Sequence, residues 1–213
     1  MQHSFSVASF VARWSSSPFA HINEDAWRIT TKAEAHIRAA IKELSGEFTI
    51  NDEIAVHRTA EIERGAVIKA PAIIGQRCFV AAAAYLRGGT YLDNDCIVGP
   101  GSELKTSFMF KGAKLAHLNF VGDSILGQGV NVEAGAIIAN YRNEFAIKSI
   151  RFRFEGHTIE TGVEKFGALI GDDCRIGANA VIAPGAVLMP GTKVARLSLF
   201  DLYPVDDEPG SRF

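Results

Sequence analysis

From Val56 onward an aliphatic residue returns at every sixth position, through Ile62, Ile68, Ile74, Val80, Leu86, Leu92 and Val98 to Leu104. The pattern pauses, resumes as Phe120, Leu126, Val132 and Ile138, and returns as Ile170, Ile176, Ile182, Leu188 and Val194. A period of six matches neither a helix nor a plain alternating strand. It is the mark of a β-solenoid, in which each turn buries its aliphatic residues against the next. Position five of the hexads, counted from the aliphatic residue, is mostly small: Ala60, Ala66, Ala84, Ala136 and Ala180 fill it, and so do Cys78, Cys96 and Cys174. The three cysteines are therefore expected in corners of the core, as small apolar fillers rather than metal ligands, disulfide partners or nucleophiles.

Three segments stand outside this repeat. Residues 1–50 are expected to form a helical cap. Between Asn23 and Leu44, the residues Ala26, Ile29, Ala33, Ile37, Ala40 and Ile41 recur at helical spacing, and Ser45-Gly46 supplies a stop. Trp14, Phe19 and Trp27 should pack this cap on the solenoid end or on a neighbouring subunit, because a bare terminal coil exposes apolar surface and an unpaired edge. Between Leu104 and Phe120 the spacing is not a multiple of six, which places a break in the coil around His117. A larger interruption separates Ile138 from Ile170. Within it SIRFRF and HTIETG alternate about Glu155-Gly156, which predicts a β-hairpin arm in an insert of about residues 143–164, reaching over an adjacent surface. The expected organisation is a cap over 1–50, a solenoid over 51–200 and a loose, acidic tail over 201–213.

The 213 residues suffice for one domain with a full core. A formal net charge of -2 provides no global field for nucleic acid or anionic lipid. No apolar run is long enough for a membrane span. The first residues lack a basic stretch before a continuous apolar core, and read as an ordinary N-terminal segment rather than a signal peptide. A soluble cytoplasmic protein with neither nucleic-acid nor membrane partners is expected. No P-loop, GxSxG or paired CxxC is present.

The period also places charge. Three hexads make a triangular coil of 18 residues, so residue i stacks beneath i+18 at about 4.8 Å. Lys69, Arg87 and Lys105 share position two and form a vertical column. Like charges at that spacing repel. The column is therefore either a solvated basic stripe or a phosphate clamp. His117, in LAHLNFVGD, is expected beside the last rung; its near-neutral pKa suits a general base, and a structural role is the alternative. It has no histidine neighbours in sequence of the kind a metal-dependent hydratase would need.

The stretches KLAHLNFVGDSILGQGVNVEAGAIIANY and KFGALIGDDCRIGANAVIAPGAVLMPGTKV resemble the C-terminal acetyltransferase domain of bifunctional enzymes that make UDP-N-acetylglucosamine. The hairpin followed by KFGALIGD is most similar to archaeal sugar-1-phosphate members. The resemblance covers about residues 50–196. It implies a left-handed parallel β-helix of the hexapeptide acyltransferase superfamily, mainly β, with acetyl-CoA as co-substrate and no metal required. It also implies a homotrimer with sites between subunits, and an amino-sugar phosphate or nucleotide sugar as acceptor.

Residue by residue, the family's catalytic histidine falls on His117 and its phosphate-binding pair on Arg87 and Lys105. Its sugar contacts fall on Asn131, Asn140 and Tyr141, and a further lysine on Lys165. Ala134, Ala178 and Arg196 occupy coenzyme positions; Ala134 matches the one whose N–H faces the thioester oxygen. Four positions depart from the family: Phe120 replaces a tyrosine, Arg142 an aspartate, Ala178 a serine and Arg196 a small residue. The nucleotidyltransferase half of those enzymes has no counterpart in these residues, so this chain is not expected to complete a nucleotide sugar by itself. The remaining alternatives are an O- or N-acyltransferase on a nucleotide-linked sugar, as in lipid A synthesis, and a non-catalytic sugar-phosphate-binding solenoid.

Overall fold

In a computed structural model, residues 6–204 are described, and the six-residue period is realised as three-sided coils of short parallel strands. The first side is a seven-stranded sheet that includes Ile97–Val98, Lys114–Leu115, Asn131–Val132, Arg175–Ile176 and Lys193–Val194. The second side carries Val67–Ile68, Phe120–Gly122, Ile137–Ile138, Val181–Ile182 and Leu199–Phe200. The third carries Ile54–His57, Ala72–Ile74, Ile125–Leu126, Ala168–Ile170 and Ala186–Leu188. Tyr85–Leu92 and Glu103–Met109 run from the second side round a corner onto the third. One core cluster fills the prism, and Cys78, Cys96 and Cys174 lie in it with their aliphatic neighbours. Their thiols donate to the carbonyls of Asp93, Phe110 and Met189, and burial pushes the Cys96 and Cys174 thiols up, which keeps them inert.

Position four of the hexad turns the corner. Arg77, Ala83, Asp95, Leu118, Asp173, Asn179 and Leu197 all have φ between 52° and 63° there. Left-handed backbone is costly for residues with a Cβ. It is held here by backbone hydrogen bonds from one coil to the next, such as Leu118 N–H to the Pro100 carbonyl at 3.0 Å.

The break after Leu104 differs from the sequence expectation. Met109, Leu115 and Val121 are the inward residues and Phe120 is only half-buried. Leu104 pairs with Val121, not Phe120. The steps Leu104 to Met109 and Val121 to Leu126 are each five residues, so His117 sits in a regular hexad between two short ones. Both short steps fall at the corner between the second and third sides. The Gly88 and Gly89 bulge and the insert after Ile138 fall at that same corner.

The N-terminal segment covers the long third side rather than a solenoid end. That side presents an outward column of Ile73, Tyr91, Phe108, Ile125, Leu169 and Val187, all buried beneath the segment or the insert. Phe19 meets Tyr91 and Phe108 edge-on at 4.9 and 5.1 Å, and Trp14 packs on Phe110 at 5.8 Å. Arg13 pairs with Asp93 at 3.0 Å, and the Ala12 N–H donates to Asp172 at 3.0 Å. Instead of one helix over 23–44 there are two, α1 (Ala26–Thr31) and α2 (Ala33–Ile41), meeting at Lys32. The elbow has a local cause: the hydroxyls of Thr30 and Thr31 both donate to the Trp27 carbonyl.

The hairpin forms where the alternation placed it, as Arg151–Phe154 and His157–Glu160, with Glu155 and Gly156 both at positive φ. The surface it reaches over belongs to its own chain. Phe152 is buried against Trp27, and the Arg153 N–H donates to the Leu202 carbonyl at 2.7 Å. Residues 201–204 are therefore fixed rather than loose; the rest of the expected tail, 205–213, lies outside the described residues. No described helix is long and apolar enough to cross a membrane.

Candidate functional site

Two corners of the prism carry the residues that the sequence singles out. At the corner between the first and second sides, His117, Ala134, Ala178 and Arg196 occupy equivalent positions in successive coils. The backbone bonds establish the stack: Gly135 N–H donates to the His117 carbonyl at 2.9 Å, Asn179 N–H to Ala134 at 3.0 Å, and Leu197 N–H to Ala178 at 3.0 Å. His117 is exposed and directly precedes left-handed Leu118. Glu133 organises the far end of the column. Its carboxylate accepts from the Ala178 N–H and from Arg196, each at 2.9 Å, and the Arg196 guanidinium holds it below the usual carboxylate range. The arginine that departs from the family is thus occupied by Glu133.

At the corner between the second and third sides, Lys69, Arg87 and Lys105 stack as the period requires. Two of the three cations have carboxylate partners within the chain. Arg87 pairs with Glu103 and Lys105 with Asp123, each at 2.6 Å. Asp123 is nearly buried and also accepts from the Asn140 side chain, so lysine, aspartate and asparagine form one network. Lys105, Asp123 and Lys165 line a cavity of about 840 Å³, whose opposite wall is the elbow between α1 and α2.

Several expectations about grouping need correction. His117 is not beside the Lys105 rung: the strand Phe120–Gly122 crosses the width of the second side between them. Asn131 lies on the first side, between Lys114 and Arg175, away from Asn140. Tyr141 is exposed, with the Lys148 ammonium 5.4 Å from its ring centre. Within one protomer, then, the histidine column and the lysine cavity occupy opposite edges of the second side. Asp123, Glu103 and Glu133 escaped the sequence reading. Asp123 was hidden by the short step, since the coil there is 17 residues long and Gly122, not Asp123, pairs with Lys105 in the ladder. Among the described residues no three His, Cys, Asp or Glu side chains are grouped to hold a metal ion.

The second side itself is apolar on its outer surface. Val67, Tyr85, Phe120, Ile137, Val181 and Leu199 follow one another in register, interrupted only by Glu103. Ile137 is 40% and Leu199 66% exposed, and Leu118 and Leu197 at the adjoining corner are 70% and 80% exposed. Among the described residues nothing covers this strip, unlike the third side.

The molecule is thus a hexapeptide solenoid with a charged cavity at one corner and a histidine column at another. A family model described as a hexapeptide repeat of succinyl-transferase matches residues 71–104 and 167–192. A bifunctional sugar-1-phosphate nucleotidylyltransferase/acetyltransferase from Sulfurisphaera tokodaii is 34% identical over 153 residues, covering 69% of this chain and 38% of its own length. The bifunctional protein GlmU of Methanococcus maripaludis is 32% identical over 181 residues, covering 82% of this chain and 43% of its own. A hexapeptide transferase family protein from Anaplasma phagocytophilum overlays loosely, at 18% identity and a TM-score of 0.32, covering 71% of this chain and 80% of that one. The chain belongs to the hexapeptide-repeat, left-handed β-helix acyltransferase superfamily. It spans less than half the length of these curated relatives.

Proposed function

We propose that the chain is an acetyl-CoA-dependent N-acetyltransferase acting on an amino-sugar phosphate, working as a homotrimer whose sites form between copies. The observation that carries this reading is the bare apolar second side, flanked by the histidine column at one edge and the lysine cavity at the other. A second copy seated on that side covers the strip and brings its own corner against the first, so that His117 of one chain faces Lys105 of another. Resemblance to the sugar-1-phosphate acetyltransferases supports locating the chemistry at these two corners.

In this reading Arg87, Lys105 and Lys165 hold the acceptor phosphate, with Asp123 and Asn140 fixing the Lys105 ammonium. Asn131 and Tyr141 contact the sugar, and Ala134, Ala178 and Arg196 line the path of the coenzyme. The acceptor nitrogen attacks the thioester carbonyl as the His117 imidazole takes its proton. The Ala134 N–H donates to the oxyanion. Collapse of that oxyanion breaks the C–S bond, and the leaving thiolate receives the proton from the imidazolium. Positioning supplies most of the acceleration.

Thiol release from acetyl-CoA, measured against a panel of amino-sugar phosphates and nucleotide amino sugars, tests the reading. Turnover with none of them would remove it. Lys105→Ala should raise the acceptor KM by roughly tenfold or more, as expected for losing a charge-assisted contact, with little change in the KM for acetyl-CoA. Ile137→Glu places a charge in the apolar strip. Sedimentation should then show monomers, with activity lost in parallel; an unchanged mass would mean that this side is not the interface.

A further inference from the structure

Three pieces of chain meet at the cavity beside Lys105: the helical elbow of residues 30–38, the bulge at Gly88 and Gly89, and the end of the insert at 163–165. The bulge is where the elbow seats. A Cβ at Gly89 would lie 2.9 Å from the Glu34 backbone nitrogen, and one at Gly88 would lie 3.8 Å from the Lys105 Cγ. Glu34 and Lys105 therefore border two consecutive residues from opposite walls. The walls share one anchor. Trp27, on α1, packs edge-on against Phe152 and Phe166 at 5.8 Å each, and Phe166 directly follows Lys165. Ile29 and Ile37 are wholly buried, which fixes both arms of the elbow. Arg38 donates to Glu34 at 3.1 Å and to Glu53 at 3.0 Å, so the Glu34 carboxylate is held in place on an otherwise exposed wall.

The cavity thus has Lys105 and Lys165 beside Asp123 and Glu164 on one wall, and on its helical wall Glu34 with Lys32 and Arg38, the Glu34 carboxylate oriented by Arg38. Its volume of about 840 Å³ is of the size that small-molecule sites occupy. An ionised carboxylate accepts hydrogen bonds and donates none. With one side held by Arg38, the remaining acceptor positions suit a ligand region rich in hydroxyl donors.

We propose that Glu34 selects the acceptor, its carboxylate accepting hydrogen bonds from the sugar hydroxyls of a hexosamine phosphate whose phosphate rests on Lys105 and Lys165. This rests on reading that corner as the acceptor site. The elbow is then part of the substrate site and not only a coat over the solenoid. The test is steady-state thiol release with acetyl-CoA and glucosamine 1-phosphate for the full chain, Glu34→Gln and Lys105→Ala. Glu34→Gln should raise the acceptor KM about tenfold, the range expected for a hydrogen bond to a charged group. The KM for acetyl-CoA and the melting temperature should stay at the unsubstituted values, since Glu34 is exposed. An acceptor KM unchanged in Glu34→Gln but raised in Lys105→Ala overturns this inference and leaves the reading of the corner standing. An acceptor KM unchanged in both, or no thiol release by the unsubstituted chain with glucosamine 1-phosphate or any other amino-sugar phosphate, overturns that reading and this inference with it.

Discussion

His117→Ala lowers kcat for acetyl transfer by about 10²–10⁴-fold, the usual contribution of a positioned general base, and leaves the melting temperature where it was. The second half of that expectation follows from the structure. The side chain is exposed at the corner, and the hydrogen bond that His117 contributes to the coil stack comes from its backbone carbonyl, which alanine retains. Acceptor and acetyl-CoA KM values should move little, because neither the lysine cavity nor the far end of the column is altered. A variant with full kcat would exclude His117 as the base. A variant that loses both activity and thermal stability would show instead that the side chain supports the corner.

Arg142→Leu destabilises the fold by about 1–2 kcal/mol, less than a fully buried ion pair costs because Asp201 is partly open to water, and lowers the melting temperature by roughly 2–8 °C. The guanidinium, only 3% exposed, bonds to both Asp201 oxygens at 2.5 and 2.8 Å and to the Pro184 carbonyl at 2.9 Å. It also lies 4.9 Å from the Tyr203 ring, which stacks on Phe145. Leucine fills part of the volume but leaves the Asp201 carboxylate and the Pro184 carbonyl short of a partner. The penalty depends on pH. Burial alone would push Asp201 up, but the hydrogen bonds from Arg142 and the Tyr203 N–H outweigh it and hold the carboxyl below its ordinary range. A depressed folded-state pKa means stabilisation that is present above about pH 4 and lost as the pH falls through the folded value. The gap in melting temperature between the two proteins should therefore be widest near neutral pH and narrow in acid. Equal melting temperatures at pH 7 would show that the staple contributes nothing.

Arg142 also explains one departure from the family pattern. Where the sugar-1-phosphate enzymes carry an aspartate after their Asn-Tyr pair, this chain ties its insert to the residues after the last coil. The replacement is structural, and its reason was invisible in the sequence because Asp201 lies outside the repeat.

The solenoid itself was legible because an inward position admits only aliphatic or small residues, and a fixed rise makes those positions recur. The register between Leu104 and Leu126 was not. Two five-residue steps leave Phe120 and Val121 adjacent and both apolar, and Phe120 happens to keep the six-residue spacing with Leu126. Only the pairing of Val121 with Leu104 decides between them. The placement of the N-terminal segment was equally hidden, since Trp14 and Phe19 would suit any apolar surface. A clue existed in the residues just before the inward ones on the third side, Ile73, Tyr91, Phe108 and Leu169, which are apolar where a solvated face would be polar. In the candidate site, motif likeness pointed to His117, and the 18-residue spacing to Arg87 and Lys105. Glu34 carries no signal of either kind, because it reaches the cavity only through the fold of the elbow.

The gathering of every irregular step at one corner has a consequence for how such a molecule can be altered. Adding or removing residues along that edge leaves the other two edges in phase, because the chain re-enters the core on the next side whatever path it took between. Such changes cost mainly loop closure, which grows slowly with length. The molecule therefore has a frame on two edges and an editable margin on the third. Exchanging the elbow or the insert is a way to change what the cavity admits without retuning the coils that carry it.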